Sequence, residues 1–261
     1  VLIKKKKARS HTEDRYLALV LATAAGILNA MALGAFGFFP SHMTGNASQI
    51  STEISSADIN TLIFLSVMLL AFIIGSTTAR FVVIAGLKKR IRTVFCLLLL
   101  AEGIALFFTS LFETHFYSSE NNREVLVILG FLMGIHNSTS TQLSNGRVRS
   151  THVTGTLTDV GIALGSFICS FTHNYEAGSR QASRKQLYTH LTTIFSFLSG
   201  CIAGFLLYQA FGFKAMTVLG ISLVSVALCG IVVTLVTSRR LQLGTQKRNG
   251  TAANFSGSRE D

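Results

Sequence analysis

Two short stretches gather the same polar side chains in the same order. Residues 41–49 read SHMTGNASQ and residues 150–158 read STHVTGTLT. Each contains Ser or Thr, then His, any residue, Thr and Gly: His42, Thr44 and Gly45 in the first, His152, Thr154 and Gly155 in the second. Asn46 follows directly on the first. Threonine can cap the orphan amides of a helix start, and glycine lets another group approach the backbone closely. Such a start presents free N–H groups and the positive end of the helix dipole, which suits an anion or a polar group. The motifs are therefore expected to bind a small polar or anionic solute. The competing reading is that they only cap helices at the membrane interface and pack two halves together.

A second set of polar residues lies inside apolar segments. Asn29, His136 and Asn137 are expected to face the interior of a helix bundle, because an unpaired polar group is costly in hydrocarbon. There they would line the site or simply bond helix to helix. Glu102 stands near the centre of FCLLLLAEGIALFF and needs a partner or a proton, with Arg80 or His136 as the candidates. A histidine so placed can also relay protons. Asp159, five residues after Thr154, is expected in the first turn of the second motif helix, where it would stabilise the dipole.

Other chemistry has no visible support. Cys96, Cys169, Cys201 and Cys229 stand singly in apolar stretches, without CxxC, and read as small apolar fillers. No HExxH, GxSxG or phosphate-loop pattern occurs. Neither an enzyme, a metal nor a cofactor is expected.

The elements that must position these residues are membrane helices. Of 261 residues, 49% are hydrophobic and 13% charged, about half the charge of a typical soluble domain. Six runs are long enough to cross about 30 Å of hydrocarbon: Tyr16–Phe39, Ile59–Ile84, Thr93–Phe112, Glu124–Gln142, Tyr188–Phe211 and Ala215–Thr237. The run after VLIKKKKARS is too long for a signal core and lacks a cleavage site, so it is read as the first membrane helix.

The net charge of +11 does not point to nucleic acid. With a cytoplasmic N-terminus and six spans, 20 of the 23 Lys and Arg residues fall in cytoplasmic segments, Arg149 among them. The outward segments hold only Arg123 and Lys214, beside Glu53, Asp58, Glu113 and Glu120. That is the positive-inside bias that orients membrane proteins, with membrane lipid as the natural partner. Both termini are expected in the cytoplasm, with the protein in a bacterial inner (plasma) membrane.

The two motifs belong to a longer repeat. GILNA, residues 26–30, precedes the first, and GIHNS, residues 134–138, precedes the second. Each half then reads as Gly-Ile-x-Asn in a helix, a polar break, the motif, a short segment and two more spans. Three spans per half invert the second copy relative to the first, as in transporters whose sites lie near the midplane on broken helices. The expected fold is all-α: six transmembrane helices as two inverted three-helix repeats, each with a re-entrant or half-length motif helix. Residues 1–15 form a basic N-terminus, 16–112 the first repeat, 113–123 an external loop and 124–238 the second repeat. A flexible cytoplasmic loop occupies 172–187, and residues 239–261 form a polar, disordered tail. Residues 153–171 are apolar enough to span, and seven crossings would put the C-terminal basic segments outside, against the charge bias. The glycine pairs Gly130/Gly134, Gly161/Gly165 and Gly200/Gly204 would let helices pack closely and permit a homo-oligomer.

On GILNA, SHMTGNAS, GIHNS and THVTGTLTDVG, the chain resembles the bacterial YoaK family, also known as the domain-of-unknown-function 1275 family. The resemblance implies a polytopic inner-membrane protein of unassigned role, sometimes guessed to be a transporter. That family often has Asp-Ala where this chain has Asn29-Ala30, so a proton-carrying carboxylate at that position is not expected here. The leading functional expectation is a small secondary transporter or channel. A non-transporting scaffold is the runner-up, and an intramembrane enzyme using His42, His152 and Glu102 comes third.

Overall fold

The computed structural model describes residues 11–116, 122–171 and 177–256, with side chains as far as 236. Lys4–Lys7, Arg9, Glu120, His173 and the last five residues lie outside that range. The described chain is helical: α1 (His11–Phe36), α2 (Met43–Ser56), α3 (Ile59–Lys88), α4 (Val94–Phe116), α5 (Asn122–Ser144), α6 (Val153–Cys169), α7 (Ala177–Phe211) and α8 (Lys214–Ser256).

Five of these helices, α1, α3, α4, α7 and α8, are long and apolar enough to cross a membrane. The expected sixth, α5, has 23 residues but falls short in apolarity. Its polar run from His136 to Gln142 is the cause, and much of that run bonds within the bundle, although the buried Thr139 hydroxyl has no partner among the described residues. Ser138 Oγ donates to the Ser76 carbonyl at 3.0 Å, Ser76 Oγ to the Gly134 carbonyl at 3.1 Å, and Gln142 Nε2 to Ser138 Oγ at 2.9 Å. A helix buried on most sides has no need to be apolar towards lipid. Lipid-type surface lies instead on helices such as α3, where Ile63, Leu70, Ile74 and Phe81 are exposed.

The two motif helices are short. α2 has 14 residues and α6 has 17, so at about 1.5 Å per residue α6 is roughly 25 Å long, less than the hydrocarbon thickness. Two segment expectations need correction. Residues 177–187, assigned to a loop, extend α7, and residues 239–256, assigned to a disordered tail, continue α8. In both, the helix begun in apolar sequence carries on through polar residues without a Pro to stop it.

Packing repeats between the halves. α1 packs along α7 as α5 packs along α3; α2 lies on α3 as α6 lies on α7; α4 and α8 pack on each other. Missing Cβ atoms permit these close approaches. Gly26 abuts the Phe197 carbonyl and Gly200 the Thr23 carbonyl between α1 and α7. Gly134 abuts the Phe72 carbonyl and Gly75 the Phe131 carbonyl between α5 and α3, while Gly103 meets Gly220 between α4 and α8. Gly26 and Gly134 each stand three residues before the asparagine of their half. Gly161 and Gly165 do not serve such packing: nothing lies within 4 Å of where their Cβ atoms would be. Of the four free cysteines, Cys96 is buried, Cys201 half-buried, and Cys169 and Cys229 exposed. Between the motif helix and the next span, Asp58 caps α3. It accepts the Thr61 N–H at 3.2 Å, and bonding from the Thr61 hydroxyl and N–H holds its carboxyl below the ordinary value.

Candidate solute-binding site

The two motifs adopt the same local structure. In each, the histidine is the residue just before the helix: His42 has φ −87° and ψ 60°, His152 φ −89° and ψ 65°. The His42 N–H turns back to the Phe39 carbonyl at 3.4 Å, and that of His152 to the Arg149 carbonyl at 3.3 Å. The histidine carbonyls then accept the N–H groups of Asn46 and Thr156, both at 3.0 Å. Each imidazole lies over the glycine three residues on, Gly45 or Gly155, where a Cβ would collide with the ring. The glycines thus make room for a histidine rather than for a ligand.

This geometry corrects the expected role of the threonines. Thr44 and Thr154 sit inside the first turn, and no side chain caps either helix start. Amides at helix starts α2 and α6 are left to other acceptors.

An asparagine latches each motif to the preceding helix. Asn29 Oδ1 accepts from Ser41 Oγ at 2.8 Å and Ser41 N–H at 3.3 Å. Asn137 Oδ1 accepts from Thr151 Oγ1 at 2.9 Å, Thr151 N–H at 3.3 Å and Ser150 Oγ at 3.4 Å. The bonds explain why Gly-Ile-x-Asn travels with the motif. Each loop folds back along its helix until its Ser or Thr meets the asparagine, and the short helix starts from there.

The latches bring both motifs to one cavity of about 520 Å³. Asn29, His42 and Thr44 line it from the first half, and Asn137, His152 and Thr154 from the second. Ser41 and Thr151 line it as well, with Phe72 and Phe197 among its apolar walls. Phe72 and Phe197 are the residues whose carbonyls abut Gly134 and Gly26, so the walls repeat along with the motifs. Arg149 also lines the cavity, and it is the one Lys, Arg, Asp or Glu among the lining residues. In the sequence Arg149 stands only as a topology signal. Its place is legible in retrospect: it precedes His152 by three residues, as the cavity-lining Phe39 precedes His42.

The other candidate residues stand elsewhere. Asn46 is buried in α2 and does not line the cavity; its Nδ2 has no partner among the described residues. Glu102 and His136 form a buried pair, with Nδ1 2.7 Å from Oε1, while His136 Nε2 lies 3.0 Å from the Leu21 carbonyl. Arg80 is not the counter-charge. It is exposed, and its Nη1 donates to Gln142 Oε1 at 2.8 Å. Asp159 is exposed and lies beyond the first turn of α6. No group of three or more His, Cys, Asp or Glu among the described residues is placed to hold a metal.

No curated protein and no solved structure matches the chain. A family model described as a protein of unknown function, DUF1275, matches residues 17–229, from the first turns of α1 to the middle of α8. With most of its length and both motifs inside that match, this chain belongs to the DUF1275 family.

Proposed function

We propose that the protein is a small secondary transporter or channel of the plasma membrane, moving a small anion through a site between two inverted repeats. One observation carries the reading: two motifs about a hundred residues apart in sequence line one cavity whose only fixed charge is Arg149. Arg149 is exposed, so its guanidinium is free to pair with a negative solute, and no Asp or Glu lines the cavity to take that place. Two uncapped helix starts add their dipoles in the same sense. At about 520 Å³ the cavity is in the range of small-molecule sites. Phe39, Phe72 and Phe197 stand among its polar lining residues, which leaves few donors to hold an ion and suits a site that must release it. The inverted arrangement, with α2 and α6 as re-entrant helices and both termini cytoplasmic, draws support from the repeated packing, the shortness of α6 and the charge bias.

The test is anion-dependent stability of the purified protein. Nitrate, sulfate, phosphate and acetate are titrated separately against the thermal midpoint in detergent. At 100 times its dissociation constant, a bound anion should stabilise by about 2.7 kcal/mol. Arg149→Gln should weaken that binding by about tenfold or more while the protein remains monodisperse. Stabilisation by none of the anions, or by one of them equally in Arg149→Gln, would count against the reading and favour a scaffold.

A further inference from the structure

The Glu102–His136 pair has no counterpart in the other half. The residue that matches His136, one place before the asparagine, is Leu28 in α1. Nothing in the repeated packing therefore requires an ionisable pair, and both of its side chains are almost wholly buried, at 2% and 1% exposure. Its hydrogen bonds fix how many protons it holds. The Leu21 carbonyl can only accept, so Nε2 of His136 carries a hydrogen towards it. The 2.7 Å contact of Nδ1 with Glu102 Oε1 needs one further hydrogen, because two bare lone pairs would repel at that distance. Whether that hydrogen sits on nitrogen or oxygen, the pair is neutral and holds one proton more than a carboxylate beside a neutral imidazole.

The pair also joins the halves. His136 belongs to α5, next to the latch residue Asn137, whereas Glu102 belongs to α4 and Leu21 to α1. Among the described residues, no other charge is bonded to it. Gly103 packs on Gly220 and Val224 of α8, and Arg80 of α3 is held by Gln142. On α4 itself Cys96 and Glu113 stand about two and three turns away.

We propose that Glu102 and His136 are the proton-coupling site of the carrier, a load of one proton that is released when the second half moves against the first. The proposal rests on the transport reading above. As His136 draws away from Glu102 and water enters, the Oε1···H···Nδ1 bond breaks and the proton passes to water. What remains is a carboxylate and a neutral imidazole, the states that ordinary values of about 4.3 and 6.5 give both groups in water just above neutrality. Asn137, the next residue, carries the same movement to Thr151 and the wall of the cavity.

The full-length protein tests this with one reporter, Thr154→Cys, in a background lacking the four natural cysteines. Its rate of reaction with a neutral maleimide is measured in detergent from about pH 5 to about pH 9. Each rate is divided by that of a Ser56→Cys reporter to remove the thiol's own titration. The corrected rate should follow a one-proton curve, steepening to at most about tenfold per pH unit, and should lose its pH dependence in Glu102→Gln. Glu102→Asp, which keeps the carboxylate, should move the midpoint of the curve without flattening it, and it serves if Glu102→Gln does not fold. A flat parent profile, or the same curve in Glu102→Gln or Glu102→Asp, would overturn the proposal. Anion stabilisation of the parent protein, with Thr154 in place, separates the two readings. Binding with a flat profile overturns proton coupling alone, whereas a full profile without anion binding keeps the proton site and overturns the anion reading.

Discussion

His136→Ala should destabilise the folded protein by about 3–5 kcal/mol, the largest loss expected of any single substitution described. The ring is buried and holds three helices at once, α5 through its own backbone, α4 through Glu102 and α1 through the Leu21 carbonyl. Its removal opens a void and leaves the buried Glu102 carboxyl group without its partner, while the Leu21 carbonyl keeps only its bond within α1. The pair as a whole is a different matter. Replacing both members by leucine removes the stranded carboxylate, so Glu102→Leu/His136→Leu should be more stable than His136→Ala. Thermal unfolding in detergent, followed by loss of the monodisperse peak, reads both. Equal loss in the single and the double variant would mean that packing rather than charge pairing holds this region together.

Asn29→Ala and Asn137→Ala should each cost about 1–3 kcal/mol, by nearly the same mechanism in the two halves. Each substitution removes the acceptor for a backbone N–H and a hydroxyl: those of Ser41 in one half, those of Thr151 in the other. Once unlatched, the segment that starts the short helix is no longer held against its long helix, and the cavity loses one of its walls. Anion affinity should therefore fall together with stability. Asn29→Asp and Asn137→Asp keep the acceptor oxygen and should retain more of the stability, at the cost of a negative charge beside the bound anion. Retention of stability with lost affinity in the aspartate variants would separate the latch from the charge of the site. No change in the alanine variants would mean that the latch bonds hold nothing in place.

Much of this was legible in the sequence, and for identifiable reasons. Five of the expected spans stand as long apolar helices, because lipid-facing residues such as Phe81 and Ile74 leave a continuous apolar record. α5 was harder to read, since a helix enclosed by α1, α3 and α4 can carry the run His136 to Gln142 and still lie in the bundle. The residues of the duplicated motif and its asparagines, Asn29, His42, Thr44, Asn137, His152 and Thr154, all line one cavity. The roles within it were less visible. Capping by threonine was a reasonable expectation from residue type, but the backbone puts histidine at the cap and threonine in the first turn. Phe72 and Phe197 carry no sequence signal of their own; the approach of α3 to α5 and of α7 to α1, over Gly134 and Gly26, brings them to the cavity. Arg149 was hidden by its neighbourhood, because a basic residue near a span end reads first as a topology marker.

The central claim is that two halves of opposite orientation send their motif helices to one cavity. Sidedness tests it most directly. Single cysteines are placed at Ser56, at the end of α2, and at Gly178, at the start of α7, in a background without Cys96, Cys169, Cys201 and Cys229. Intact cells are then treated with an impermeant thiol reagent. Labelling at 56 in intact cells, and at 178 only after permeabilisation, is the predicted result. Labelling at both positions from outside would mean that α6 crosses the membrane and that the halves run in parallel, which contradicts the account.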